Sequence, residues 1–169
     1  MRDSTARFVK ALGDQHPRYS VFLEGLGDIL RDKGDMAGAG AIYRQSVKFD
    51  EARARRHLGV SYGRLGDWLT RTGHPDQGEP LLRKSVAEFE KTNPDGSPEM
   101  AEYQRQLGQC LVKLQHFAEA EPFLLQSYGM LQKTFGDAHG ETRQSAATLA
   151  SLYDQWGKPA EAVKYRQHP

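Results

Sequence analysis

Apolar residues recur along this chain at i, i+3 and i+4, the spacing that lays one stripe along an α-helix. Leu26, Ile29 and Leu30 follow it, as do Leu65, Trp68 and Leu69, then Leu107, Cys110 and Leu111. The leading leucines, continued by Leu149, stand 39, 42 and 42 residues apart. Each is followed by a small residue: Gly27, Gly66, Gly108 or Ala150. Eight residues beyond each leucine comes a turn position, filled by Gly34, Gly73, Gln115 and Gly157. A second small residue follows, Ala39, Gly78, Ala120 or Ala162, and three of the four segments continue to Ser46, Ser85 and Ser127.

Each segment therefore predicts a helix, a turn and a second helix. The small residue beside the leucine lets a neighbouring helix approach closely. Glycine at the turn ends the first helix, because a left-handed cap costs it little. One short hairpin cannot bury its own apolar face, and stacked copies supply the missing surface. The predicted fold class is all-α, an α-solenoid of stacked antiparallel helix hairpins. Ser97-Pro98 predicts a helix start, with serine as cap and proline in the first turn. His16-Pro17 and His139-Gly140 stand at the corresponding entries. Residues 4–16 (STARFVKALGDQH) align with 127–139 (SYGMLQKTFGDAH), so the chain opens inside the second helix of a half-repeat, with Phe8, Val9 and Leu12 covering the first hairpin. This start fits either a half-repeat cap or a piece of a longer array. The predicted division of a single domain, 1–169, is a half-repeat helix over 2–12 and repeats over 17–50, 51–91, 97–134 and 139–167.

Composition narrows the function classes. The 169 residues suffice for one domain with a real core. Lys+Arg number 23 and Asp+Glu 22, a net charge of +1, so no global basic field is available for nucleic acid or an anionic membrane surface. Mean hydropathy is -0.70, and no apolar run approaches the ~18 residues of a membrane span. The opening residues lack the apolar stretch of a signal peptide. One cysteine excludes an internal disulfide framework and a multi-cysteine zinc site, and fits a cytoplasmic location. Glycine is in excess, 17 residues or about 10 % against a usual ~7 %. The repeat register absorbs much of that excess, but not Gly38 and Gly40. Inside a helix each costs ~1 kcal/mol relative to alanine, so the first hairpin is expected to be the least stable.

No catalytic constellation emerges, and the chain reads as a non-enzyme. Cys110 falls at the position of Ile29, Trp68 and Leu152, which predicts a buried structural thiol. No two of the six histidines stand at i, i+4 with an acidic neighbour, so no helical metal motif exists. His16 and His139 occupy equivalent turns, which favours local hydrogen bonding. Phosphate-cradling glycine loops and a G-x-S-x-G elbow are missing, and Pro159 after Gly157-Lys158 removes an amide that a cradle would use. Glu119 and Glu121 suit a helix start. The aromatics Tyr43, Trp68, Phe117, Phe123, Tyr153, Trp156 and Tyr165 follow repeat positions and read as packing between hairpins. No cofactor and no metal is expected.

The segments LYDQWGKPAEAVKYR (152–166), HFAEAEPFLLQSY (116–128) and DQGEPLLRKSV (76–86) resemble the tetratricopeptide repeat in its long form of about 42 residues, found in kinesin light chains and many bacterial proteins. The last segment is also similar to tetratricopeptide tails of bacterial serine/threonine kinases. The resemblance covers about residues 4–166 and implies a right-handed superhelix whose first helices line a concave groove for a protein or peptide. The asparagine pair of kinesin-light-chain repeats is absent, replaced by Glu24-Gly25, Gly63-Arg64, Arg105-Gln106 and Ala147-Thr148. The set that grips a C-terminal carboxylate in chaperone adaptors is absent too. Family geometry implies that Glu24, Asp28, Arg31, Asp67, Arg71, Arg105, Gln109, Lys113, Ser151 and Asp154 face the groove, acidic toward the N-terminal half and basic in the third unit. The expected function is a protein-interaction scaffold that binds a partner segment there, without nucleic acid or membrane. The alternative is a spacer or oligomerisation segment of a larger, bacterial kinase-linked protein, self-associating through exposed repeat ends.

Overall fold

The computed structural model describes residues 7, 9–11, 13, 15–53 and 57–166. Phe8, Leu12, His168 and residues 54–56 lie outside the described residues, as does most of the predicted half-repeat helix. Beyond the helical residues 9–11, eight helices follow: α1 Tyr19–Asp32, α2 Met36–Glu51, α3 Leu58–Arg71, α4 Pro75–Thr92, α5 Pro98–Lys113, α6 Phe117–Phe135, α7 Gly140–Gln155 and α8 Pro159–Arg166. They pair as the hairpins α1–α2, α3–α4, α5–α6 and α7–α8, each packed on the next. The second hairpin begins at Leu58, because α2 runs on to Glu51 and residues 52–57 connect the units.

Local chemistry sets the helix ends. Ser97 accepts the Met100 N–H at 3.1 Å, with Pro98 opening α5, and Asp35 accepts the Gly38 N–H at 2.8 Å. The four first helices close with one repeated bond, donated five residues downstream: Asp35 N to Leu30 O, His74 N to Leu69 O, His116 N to Leu111 O and Lys158 N to Tyr153 O, all at 2.8–2.9 Å. That bond requires a left-handed residue just before its donor. Gly34, Gly73 and Gly157 supply φ of 81°, 87° and 74°, and Gln115 adopts 62° as the only non-glycine with positive φ among the described residues.

Inside each hairpin the helices meet at the small residues. A Cβ on Gly27 would lie 2.4 Å from the Tyr43 ring, on Gly66 2.7 Å from Leu82, and on Gly108 2.4 Å from Leu124. Tyr43, Leu82 and Leu124 each stand sixteen residues further on, so one contact is built three times. Between hairpins, the first helix of one unit packs on the start of the preceding second helix. The Trp68 indole lies over Gly40, where a Cβ would meet it at 2.3 Å, and its Nε1 donates to the Met36 carbonyl at 3.0 Å. Gly40 thus has a packing reason that the repeat pattern alone did not supply. Cys110 takes the same role one unit on, its thiol donating to the Pro75 carbonyl at 3.2 Å. Ile29 does not follow its equivalents: it is 53 % exposed, whereas Cys110 and Leu152 are wholly buried.

Two apolar clusters form the core. One runs from Tyr19 through Tyr43 to Trp68 and Leu69, with Val9 packed on it. The other runs from Val60 and Leu82 through Leu107 and Leu124 to Tyr153 and Ala162, with Trp156 and Tyr165 packed on it. Trp156 stacks on Phe117 and Tyr153 at the last turn. First helices touch from unit to unit, α1 to α3, α3 to α5 and α5 to α7, while among the described residues no such run joins the second helices. The stack therefore bends with α1, α3, α5 and α7 on its inner face. Among the described residues no helix is long and apolar enough to cross a membrane.

Candidate functional site

Residues three and four apart share one face of a helix, so each first helix presents a short polar strip inward. Asp67, Thr70 and Arg71 of α3, Arg105, Gln109, Val112 and Lys113 of α5, and Gln144, Ala147, Thr148, Ser151 and Gln155 of α7 line a cleft of about 640 Å³. A second cleft of about 550 Å³ shares Asp67, Arg71, Arg105 and Gln144 with it and extends to Arg31, Asp32, Arg64, Glu102 and Glu141.

Of the ten residues expected on the groove, Asp67, Arg71, Arg105, Gln109, Lys113 and Ser151 line the first cleft and Arg31 lines the second. Three others sit elsewhere. Glu24 is buried, 3 % exposed, and belongs to the interior rather than to an open face. Its Oε1 lies 2.8 Å from the Ser61 hydroxyl and 3.3 Å from that of Ser46, and its Oε2 lies 2.7 Å from His57 Nε2. Ser61 also reaches the wholly buried Asp50 at 2.7 Å, so this network ties α1, α2 and the start of α3 together. Asp28 accepts the Tyr43 hydroxyl at 2.7 Å and pairs with Arg64 and Arg31, fully engaged within the first two units. Asp154 pairs with Arg166 and lines a smaller cleft at the last hairpin. Sequence reasoning missed Glu102 and Gln144. Glu102 stands one helical turn before Arg105 and Gln144 two turns before Ser151, both expected on the groove, and that spacing was the available signal.

The charges of the main cleft are unevenly matched. Asp67 is held by Arg71 Nε at 2.7 Å, yet burial outweighs that cation and pushes its carboxyl above the usual range. Arg105 is almost enclosed, with 4 % of its side chain exposed, and grips Glu102 through Nη2 at 2.6 Å and Nε at 3.0 Å. Its Nη1 is buried and has no hydrogen-bond partner among the described residues. Lys113 donates to the Thr70 carbonyl at 2.9 Å and has no carboxylate partner among the described residues.

Elsewhere the reactive side chains serve the fold. Cys110 has no exposed surface, and burial pushes its thiol up, away from the thiolate that nucleophilic chemistry needs. His16 and His139 do the same local work: each Nδ1 accepts the backbone N–H two residues on, at 3.2 and 3.3 Å. Glu119 accepts Arg83 at 2.7 Å and Glu121 accepts the Tyr153 hydroxyl at 2.9 Å, each bridging adjacent units. Among the described residues no group of three histidine, cysteine or carboxylate side chains is placed to hold a metal.

Comparison with known proteins agrees with this architecture. Two family models, both of the tetratricopeptide repeat, match residues 57–133 and 2–54. No curated protein matches the chain. Among solved structures, a point-substituted form of the nearly identical TPR-like repeats of a kinesin light chain candidate from Podosopora anserina superposes with a TM-score of 0.81 at 22 % identity, over 98 % of this chain and 80 % of that one. A second structure of those repeats gives 0.78 at 22 % identity, over 99 % and 81 %. BtubC (BKLC) from P. vanneervenii gives 0.74 at 16 % identity, over 99 % and 70 %. At these identities the likeness is one of fold. With two family models in tandem and four hairpins in register, the chain belongs to the tetratricopeptide repeat family.

Proposed function

We propose that this protein is a non-enzymatic interaction module that holds an extended segment of a partner protein along its inner face. Tetratricopeptide repeats are, in general, protein-interaction modules. The observation that carries the reading here is the pair of adjoining clefts across α1, α3, α5 and α7, lined largely by polar side chains of the first helices. Gln109, Gln144, Thr148, Ser151 and Gln155 offer donors and acceptors to a peptide backbone, without a charge to neutralise. The location proposed with it is the cytoplasm, supported by a lone buried thiol and no disulfide.

Ala147→Trp tests the reading. Ala147 is exposed in the cleft, so an indole there fills the space a ligand needs. Gly129→Trp is the control, because a Cβ at Gly129 on α6 meets nothing within 4 Å and the residue lies away from this cleft. Peptide binding lost in the first and kept in the second, with unchanged helical signal in both, supports the inner face. Equal binding by both variants excludes it.

Val21 and Ile29, 50 % and 53 % exposed on α1, favour a second reading, association through the end of the stack. Light scattering across a concentration series tests it: a mass that rises with concentration and falls back in Ile29→Asp supports association, and a constant monomer mass excludes it.

A further inference from the structure

A glycine inside a helix is costly relative to alanine unless something approaches its backbone closely. Gly129 stands in the middle of α6 and is exposed, and a Cβ added there would meet nothing within 4 Å. No contact among the described residues calls for a glycine at that place. The repeat register sharpens the point. Lys48 and Ala87 hold the matching position on α2 and α4, and one turn earlier Arg44 and Arg83 stand where α6 has Leu125, 38 % exposed. The outer face of α6 is thus bare and apolar where α2 carries two cations. It borders a cleft of about 540 Å³ whose other apolar lining comes from Met100 of α5, Met130 and Pro94. Methionine adapts readily to a surface that meets it. The polar groups in the cleft serve each other: Gln104 donates to Gln126 at 3.0 Å, and the Thr134 hydroxyl donates to the Met130 carbonyl at 2.9 Å. Asp95 and Lys133 are left over, both exposed and neither paired among the described residues.

We infer that a second copy of this chain covers this face, α6 against α6 across a twofold axis, with the backbones closest at Gly129. A twofold contact sets the same patch on both sides, so Lys133 of each copy faces Asp95 of the other. One acid and one base make the patch self-complementary, while a strongly charged partner would find no matching excess there. A net charge of +1 gives two copies little cause to repel. The contact is separate from Val21 and Ile29 on α1. It also leaves the inner face free, because α6 lines neither of the clefts there.

Sedimentation velocity from about 1 μM to about 1 mM tests the inference, a range that reaches the weak affinity of a small interface. The mass should rise with concentration from 19.0 kDa toward twice that value. Leu125→Arg installs the residue that α2 and α4 carry at this position, so the fold tolerates it, and it should weaken the dimer about tenfold or more. Asp95→Lys and Lys133→Glu should each weaken it several-fold, and the double variant should recover it, because the swap rebuilds both pairs. Gly129→Ala should weaken the dimer yet raise the melting temperature of the dilute monomer, opposite effects that a merely structural glycine would not give. A constant 19.0 kDa mass would overturn the inference, as would association that Leu125→Arg leaves intact and Ile29→Asp abolishes. A double variant no tighter than the single ones would overturn the twofold arrangement. The groove reading is decided separately, by Ala147→Trp.

Discussion

Replacing Gln115 by glycine should stabilise this protein. The four first helices end with the same bond to the carbonyl five residues back, at 2.8–2.9 Å, and the same left-handed residue before it. Three of those residues are glycine, and the fourth is Gln115 at φ 62°. A residue with a Cβ pays about 1–2 kcal/mol for that conformation. Glycine avoids this but surrenders roughly 0.5–1 kcal/mol of extra freedom in the unfolded chain. The net gain is about 0.5–1 kcal/mol, or about 1–4 °C in melting temperature for a chain of this length. Gln115 is exposed and its side chain has no partner among the described residues, so nothing else is lost. The reciprocal change isolates the same term, since a Cβ on Gly73 meets nothing within 4 Å and Gly73→Gln should cost what Gln115→Gly gains. Circular dichroism melts and urea titrations with unchanged slope read both variants. A Gln115→Gly protein no more stable than wild type, or a Gly73→Gln protein equal to it, would refute the reasoning.

Gly108→Ala should lower stability by about 1–2 kcal/mol, because crowding the wholly buried Leu124 at 2.4 Å costs more than the ~1 kcal/mol of helix propensity gained; a higher urea midpoint would contradict the close approach. His57 should titrate above its ordinary ~6.5, raised first by its bond to Glu24, and Glu24→Gln should bring it back down in an NMR titration. The folded value is the higher one, so the stabilisation from this pair is complete below about pH 6.5 and fades as pH rises through the raised value. A stability deficit of Glu24→Gln that grows toward alkaline pH would argue against that linkage. Cys110 should resist a thiol reagent in the folded protein and react at the rate of unfolding; rapid labelling in native buffer would deny its burial.

The hairpins were legible because each repeat position answers to one physical demand. Leucine at 26, 65, 107 and 149 needs burial, the residue after it needs to be small, and the residue eight on needs a left-handed backbone. Agreement among four copies made even Gln115 recognisable as a turn. Ile29 broke the register: it is 53 % exposed, whereas Trp68 and Cys110 are buried against the start of a second helix, at Met36 and Pro75. Burial at that position depends on a neighbouring helix and not on the stripe of the helix that carries it. The site was legible as a face and not as a set of partners. The family resemblance put Arg105, Gln109 and Lys113 on one face, but it put Glu24 on the same strip, and Glu24 turned out enclosed by Ser46, His57 and Ser61 from α2 and the start of α3. Contacts 22 to 37 residues away decide such burial, and one helix's pattern carries no record of them.

The account stands most directly on where a bound segment lies. A photoreactive phenylalanine analogue placed at position 147 on α7, and separately at 129 on α6, can be irradiated with a peptide selected for binding to the wild-type protein from a random peptide library. The account predicts a cross-link from position 147 and none from 129. A cross-link from 129, or equal yields from both, would contradict it.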